Sequence, residues 1–180
     1  YHCTEMARRI MLDAADIHGG KGIMKGPKNY LAWGYEAMPV AITVEGANIL
    51  TRNLMIFGQG ATRCHPYVLK EMALAQSPLT EQTLPDFDKL LFGHLGLACQ
   101  NAARALVHAL TGAHFTGLLI DTPTRRTYQQ LQRCSASFAT LAEAAMLTLR
   151  GSLKRRELLS ARLGDLLSML YLASMVLKHY

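Results

Sequence analysis

The stretch FDKLLFGHLGLACQNAARALVHAL, residues 87–110, decides the fold class of this chain. Its apolar side chains recur every three or four residues, which is the spacing of one face of an α-helix. Two later stretches, at 128–149 and 159–175, show the same period, and no stretch alternates between apolar and polar residues as a half-buried β-strand does. The sequence therefore predicts an all-α fold.

The first part of the chain also carries a helical pattern, followed by a glycine-rich stretch. A first helix is predicted to end at Gly19 and Gly20, because glycine tolerates the left-handed conformation that often ends a helix. Residues 19–39 contain five glycines and two prolines and predict a loop. Long loops inside compact domains are often functional, so this one is a candidate binding element.

A second helix is predicted to begin near Pro39, since proline suits the first turn of a helix. It would carry Glu45, run to about Phe57 and end at the glycines of residues 58–60. A shorter helix is predicted at about 66–75.

Residues 77–85 are polar and contain two prolines, which favours a linker. The predicted organisation is a helical region at 1–76, a linker at 77–85 and a helical bundle at 86–180. Breaks within the bundle are predicted at 117–123 and at 151–152, where glycine, proline and serine occur.

The charge of the chain argues against nucleic acid as its partner. The formal net charge is +6, but the basic residues are scattered, apart from residues 125–126 and 154–156. No basic stripe is interleaved with aromatic residues, as nucleic-acid binding would favour. An anionic ligand or a membrane surface accommodates the same charge.

Cysteine usage and hydropathy predict an intracellular protein that does not cross a membrane. The four cysteines never form a CxxC pair, so neither a metal site nor a disulfide framework is predicted. The apolar stretch at 166–177 has twelve residues, whereas a membrane-spanning helix needs about 20. Because the chain starts at Tyr1 and shows no signal peptide, we expect it to be part of a longer protein.

Glu45 is the candidate catalytic residue. Val40, Val44 and other apolar residues precede it, and Gly46 follows it. Apolar surroundings disfavour a charged carboxylate, so its pKa is predicted to be raised into the range of a general base. The alternative is that Glu45 faces solvent and pairs with Arg52 on the same helix.

Three strings resemble the large acyl-CoA dehydrogenases of bacterial fatty-acid β-oxidation. They are DIHGGKGI at 16–23, PVAITVEGANILTRNL at 39–54 and IFGQGATRCHP at 56–66. Two later strings, TRRTYQQL at 124–131 and LKRRELLSARLGD at 153–165, resemble the C-terminal helical extension of the same subfamily. The resemblance therefore covers nearly the whole chain.

This resemblance implies an FAD-dependent enzyme that oxidises fatty acyl-CoA to trans-2-enoyl-CoA. Glu45 matches the glutamate that removes the α-proton while the β-hydride passes to FAD, and the Gly46 amide matches a donor to the thioester carbonyl. Gly19 and Gly20 match the glycines that let the FAD of a neighbouring subunit approach, which implies at least a dimer.

The resemblance further implies how the chain is divided and which partners the parent protein has. Residues 1–76 would end the dehydrogenase's C-terminal helical domain, and residues 86–180 would form the extension. Electrons would pass to an electron-transfer flavoprotein in the cytoplasm, with a peripheral contact at the inner membrane as a further expectation. No metal is implied, and the chain alone is expected to be inactive.

Some positions depart from the family pattern. Asp16, Ala47 and Ile49 stand where many members carry Gln, Thr and Gln. The last two of those polar groups face the flavin, so Asn48 or backbone groups would have to replace their contacts. These departures leave open an alternative, a non-enzymatic helical interaction module derived from an acyl-CoA dehydrogenase.

The remaining histidines are not predicted to be ligands or nucleophiles. The dipeptide Cys64-His65 points its side chains in different directions, which argues against a shared site. His94, His108 and His114 lie at helical positions near leucines and alanines, where hydrogen-bonded or partly exposed histidines are the usual case.

Overall fold

The structure, a computed structural model, describes residues 1–44, 47–116 and 123–180, and within these ranges it contains helices and no strand. The all-α prediction is confirmed. The chain forms two compact units, residues 1–52 and residues 53–180.

Unit 1 consists of short helices around one longer one. Helix α1 packs against both α2 and α3. The helices are α1 at His2–His18, α2 at Gly20–Ile23, α3 at Leu31–Thr43 and α4 at Asn48–Leu50.

The Asn29 side chain starts α3. Its Oδ1 accepts hydrogen bonds from the backbone amides of Leu31 at 2.8 Å and Ala32 at 3.1 Å, two donors that have no partner inside the helix. Its Nδ2 donates to the carbonyl of Lys21 at 2.7 Å, which ties the start of α3 to α2. Leu31 and Ala32 are buried, so the helix enters the packed part of the unit from its first turn.

Two predictions of local structure in unit 1 are wrong. The predicted loop at 19–39 contains α2 and most of α3, and Pro39 lies inside α3 instead of at the start of a helix. The predicted continuous helix from Pro39 to Phe57 is interrupted, because Val44 is extended with a ψ of 146° and α4 begins only at Asn48. A side-chain cap such as that of Asn29 leaves no mark on the hydrophobic period, so the start of α3 was missed.

Unit 2 contains the three long helices, and their prediction is confirmed. Between the first two, the predicted break at 117–123 lies almost entirely outside the described residues. The elements are a π-helix at Thr51–Gln59, which begins in unit 1, α5 at Gly60–Cys64, α6 at Val68–Gln76, α7 at Thr83–Leu110, α8 at Arg125–Leu149, a 3-10 helix at Arg150–Arg155 and α9 at Glu157–His179. Residues 77–82, in the predicted linker, connect α6 to α7, and Pro85 lies in the first turn of α7, where proline is tolerated.

The glycines at 58–60 do not end a helix, contrary to prediction. The chain continues from the π-helix directly into α5. A Cβ at Gly58 would lie 3.9 Å from the Ser160 hydroxyl of α9, an ordinary van der Waals distance, so Gly58 lies beside α9 with room for a methyl group. At the same place Ser160 Oγ donates a 2.6 Å hydrogen bond to the carbonyl of Asn53.

The core of unit 2 lies where the π-helix meets α8 and α9. Phe57 is 1% exposed and Leu163 is 2% exposed. The rings of Phe57 and Phe138 meet edge to face, with centroids 6.2 Å apart. Aromatic pairs favour this geometry because the positive ring edge meets the negative ring face.

A hydrogen bond fixes the last turn of α9 to α8. The Tyr128 hydroxyl of α8 donates to the carbonyl of Leu177 at 2.8 Å. By length and composition alone, α9 could span a membrane, although the twelve-residue apolar stretch had argued against such a helix. Helix α9 packs on α8, and 22% of its apolar window is buried.

Candidate functional site

Glu45 and Gly46, the predicted base and its neighbour, lie outside the described residues. The residues on either side are described: Val44 is extended, and Ala47 is extended with a ψ of 144°. Of the described residues here, Val44 and Ala47 lie outside the helices, and α4 begins at Asn48. Val44 itself is 55% exposed.

Asn48 connects α4 to α1. Its Nδ2 donates to Thr4 Oγ1 at 2.9 Å and to Glu5 Oε1 at 2.8 Å. Its amide, which was a candidate replacement for the missing flavin contacts, is engaged in holding α4 in place.

The predicted cofactor-binding glycines, Gly19 and Gly20, differ from Gly22 of the same motif in the space beside their backbone. Gly19 has a φ of +56°, a left-handed conformation that favours glycine, and a Cβ at Gly19 or Gly20 would meet no described atom within 4 Å. A Cβ at Gly22 would instead lie 3.0 Å from the Ala15 carbonyl. Gly22 thus serves packing against α1, whereas Gly19 and Gly20 leave an open backbone surface.

A cluster of two histidines and two glutamates in unit 2 was not predicted; we call it the imidazole–carboxylate cluster. His65 precedes α6, Glu71 lies on α6, His94 on α7 and Glu143 on α8. His65 Nε2 lies 2.7 Å from Glu143 Oε1, and His94 Nε2 lies 3.1 Å from Glu143 Oε2. His94 Nδ1 lies 2.9 Å from Glu71 Oε1, so one imidazole bridges two carboxylates.

The backbone fixes the tautomer of His65. The amides of Tyr67 and Val68 both donate to His65 Nδ1 at 3.2 Å. An accepting Nδ1 carries no hydrogen, so the neutral ring carries its hydrogen on Nε2 and donates it to Glu143. His65 therefore caps the start of α6 with one nitrogen and binds α8 with the other.

The two carboxylate partners of His94 favour a ring that carries both hydrogens. Ionised carboxylates only accept hydrogen bonds, so each ring nitrogen facing Glu71 or Glu143 must donate. Burial lowers the pKa of His94, but the hydrogen bonds to Glu143 and Glu71 and the negative charges of both raise it more, and the net direction is upward from 6.5. The geometry and the pKa direction both indicate an imidazolium.

Tyr67 covers one face of this imidazolium. The two rings are stacked nearly parallel, at 8°, with centroids 5.7 Å apart. Gly93 makes room for the phenol ring, because a Cβ at that position would lie 2.8 Å from Tyr67 Cε1.

The cluster also has the composition of a metal site, but its hydrogen bonds do not suit one. Ligand atoms of His65, His94 and Glu143 all lie within 4.8 Å of one another. A metal ion on His65 Nε2 would require the ring hydrogen on Nδ1, where the amide hydrogens of Tyr67 and Val68 already point. The arrangement suits a network that holds protons.

The sequence carried little signal for this cluster. Its four members come from three helices and a loop, and none of them extends a hydrophobic period. His94 is partly buried and hydrogen-bonded, as predicted for it, but its two partners lie 23 and 49 residues away along the chain. Only the His-Pro dipeptide before a helix, at 65–66, hints that His65 caps α6.

An apolar groove runs between α8 and α9. It encloses about 510 Å³ and includes the free thiol of Cys134 in its wall. Its main apolar lining residues are Leu131, Phe138, Leu141, Leu166, Leu170 and Leu177.

Comparison with known proteins identifies a family region that includes the predicted linker and the predicted bundle. The family model described as "Acyl-CoA dehydrogenase, C-terminal, bacterial type" matches residues 62–180, more than half of the chain. The match includes the imidazole–carboxylate cluster and the α8–α9 groove, and it begins after Glu45. No solved structure matches the chain.

Proposed function

This chain belongs to the bacterial-type acyl-CoA dehydrogenase C-terminal family, and we propose that the full-length protein carrying it oxidises fatty acyl-CoA to trans-2-enoyl-CoA in β-oxidation. The observation that carries the proposal is the string at 39–54, which resembles the catalytic segment of these dehydrogenases and lies before the matched region, which begins at residue 62. The chain would supply the catalytic base and the helical region that follows it.

In this proposal Glu45 acts on the α-carbon of the acyl thioester. Its carboxylate takes the α-proton, and the Gly46 amide donates a hydrogen bond to the thioester carbonyl, where negative charge develops. FAD, when bound, supplies the acceptor for the hydride that leaves the β-carbon. Loss of one proton and one hydride leaves the trans double bond.

The residues of the glycine motif fit a flavin. Gly19 and Gly20 would hold FAD, since their backbone is open and a side chain at either position would occupy the space above it. By resemblance that FAD belongs to a neighbouring subunit, so we propose at least a dimer. We further propose that an electron-transfer flavoprotein reoxidises the enzyme.

Bleaching of the bound flavin by acyl-CoA in the full-length protein tests the proposal. We expect wild type to bleach and Glu45→Gln to retain its flavin without bleaching, because the amide cannot take the α-proton. Glu36→Gln is the matched control: Glu36 is a carboxylate of α3 that pairs with Lys25 at the surface. It should bleach like wild type.

Two results would redirect the proposal. Equal bleaching of wild type and Glu45→Gln would mean that another group is the base. A folded but colourless full-length protein would favour the second candidate function, a non-enzymatic helical interaction module. The open apolar groove between α8 and α9 is the observation that favours this second candidate.

We propose a cytoplasmic location with a peripheral contact at the inner membrane. The basic run at 154–156 precedes α9, which is the most apolar of the long helices. Flotation with anionic vesicles at low and high salt tests the membrane contact, since screening weakens electrostatic attachment. Absence of the protein from the vesicle fraction at low salt would remove it.

A further inference from the structure

One imidazole joins three helices of unit 2. The side chains of His94, Glu71 and Glu143 are 20%, 17% and 16% exposed, so water reaches them only in part. His94 Nδ1 is hydrogen-bonded to both carboxylate oxygens of Glu71 on α6, at 2.9 Å and 3.1 Å, and Nε2 is hydrogen-bonded to Glu143 on α8. His65 ties the start of α6 to Glu143, and the hydrogens of the His94 ring add the contact from α7 to Glu71 of α6.

Loss of one proton would change both contacts. A neutral imidazole has one N–H, so the other nitrogen would turn a lone pair toward a carboxylate oxygen about 3 Å away. If the remaining ring hydrogen were on Nδ1, facing Glu71, the lone pair of Nε2 would face Glu143. If it were on Nε2, facing Glu143, the lone pair of Nδ1 would face Glu71. His65 already donates to Glu143, so the contact to α6 is the one with no second donor in the cluster.

We propose that His94 is a proton-dependent clamp on α6: it holds α6 against α7 and α8 while the ring carries both protons, and it releases α6 when one proton is lost. The titratable groups that face His94 are Glu71 from α6, Glu143 from α8, and His65 and Tyr67 from the segment before α6. The inference concerns unit 2 alone and does not depend on the proposed dehydrogenase activity.

The direction of the pH effect follows from the raised pKa of His94. When α6 is released, the ring returns toward its ordinary pKa of about 6.5. The contribution of the clamp is therefore complete below about pH 6.5 and is lost as the pH rises through the higher pKa of the closed state. One proton changes the opening constant by at most about tenfold per pH unit within that window.

Hydrogen exchange of the 180-residue chain measures the opening of α6. Protection factors, corrected for intrinsic exchange rates, would be compared for amides of residues 68–76 between about pH 6 and about pH 8.5. We expect the protection of α6 to fall with rising pH while the protection of central α8 amides stays constant. NMR of the ring nitrogens should show His94 losing its second proton above the ordinary histidine pKa of about 6.5.

Three variants test whether the pH dependence of α6 protection comes from His94 and its contact with Glu71 or from any histidine on α7. His94→Gln should lower the protection of α6 at about pH 6 and remove its pH dependence. Glu71→Gln, which keeps the contact between α7 and α8, should weaken α6 in the same way even if His94→Gln folds poorly. His108→Gln is the control on the same helix, since His108 has no carboxylate partner in the described ranges, and it should retain the wild-type pH dependence.

Three results would overturn the clamp. One is an α6 protection that follows the same pH course in wild type and in Glu71→Gln. Another is a His94 ring that titrates at or below the ordinary histidine pKa of about 6.5. The third is stoichiometric binding of Zn²⁺ by calorimetry that His65→Ala abolishes, which would make the cluster a metal site.

Discussion

Two glycines on α7, three residues apart, should respond to alanine in opposite directions. Gly93 faces Tyr67, and a Cβ there would lie 2.8 Å from Cε1, 3.0 Å from the hydroxyl oxygen and 3.1 Å from Cζ. These atoms belong to a rigid ring that is stacked on His94, so the ring has little freedom to yield. A Cβ at Gly96 would meet nothing within 4 Å.

The magnitudes follow from two opposing effects. Alanine favours a helix interior over glycine by about 0.5–1 kcal/mol, and both positions gain this amount. Gly96→Ala should therefore stabilise unit 2 by about 0.5–1 kcal/mol. Gly93→Ala also introduces an overpacked contact costing about 1–3 kcal/mol, so it should destabilise by about 1 kcal/mol net. The helix term cancels between the two variants, and their difference isolates the contact with Tyr67.

Urea unfolding followed by far-UV circular dichroism measures both variants, with unchanged m-values as the condition for comparison. The Tyr67→Leu background supplies the decisive control, because removing the ring should turn Gly93→Ala into a stabilising change like Gly96→Ala. Equal stabilisation by both alanines in the wild-type background would refute the placement of Tyr67 against α7. So would a Gly93→Ala cost that persists without the ring.

Three further substitutions test the packing and capping described above. Phe57→Ala should destabilise unit 2 by about 3–5 kcal/mol because it empties a fully buried site. Phe92→Ala, at a residue that is 68% exposed, should cost below about 0.5 kcal/mol. Comparable costs of the two variants in urea unfolding would contradict the assigned core. Asn29→Ala should cost about 1 kcal/mol of stability by removing the cap of α3. The loss should appear as unfolding at a lower urea concentration in the fluorescence of Trp33, the single tryptophan. An unchanged unfolding transition would show that the cap is dispensable. Ser160→Ala should cost about 1 kcal/mol through the lost bond to the π-helix, and a neutral result in thermal unfolding would mean that water replaces it.

The long helices could be predicted from the sequence because each of them buries one face. In α7, α8 and α9 the apolar residues repeat at the helical period, and a period is visible without knowing which element lies opposite. The start of α3 could not be predicted in this way. It depends on the Asn29 side chain, which reaches across the loop to α2, and a single polar residue in a glycine-rich stretch has many alternative uses.

The candidate sites differ in the same way, since some are local in the sequence and one is assembled only by the fold. Glu45, Gly19 and Gly20 are local in sequence, so their strings could be compared with a family, and they stay predictions because the described structure tests none of them directly. The imidazole–carboxylate cluster joins residues up to 78 positions apart, and only the tertiary structure brings them together. The helical continuation through residues 58–60 was not predicted for a related reason, since this segment is held against α9 by the hydrogen bond from Ser160 to Asn53, which are distant in the chain.

The hydrogen bond from the Tyr128 hydroxyl to the Leu177 carbonyl affects how the last turn of α9 opens. The final carbonyls of any helix lack amide partners from a following turn, so the last turn usually opens first and exposes its backbone to exchange and to proteases. Here a phenol from the neighbouring helix occupies one of those carbonyls. We therefore expect the last turn of α9 to open only after the Tyr128 hydroxyl releases the Leu177 carbonyl, so Tyr128→Phe should speed the hydrogen exchange of that turn.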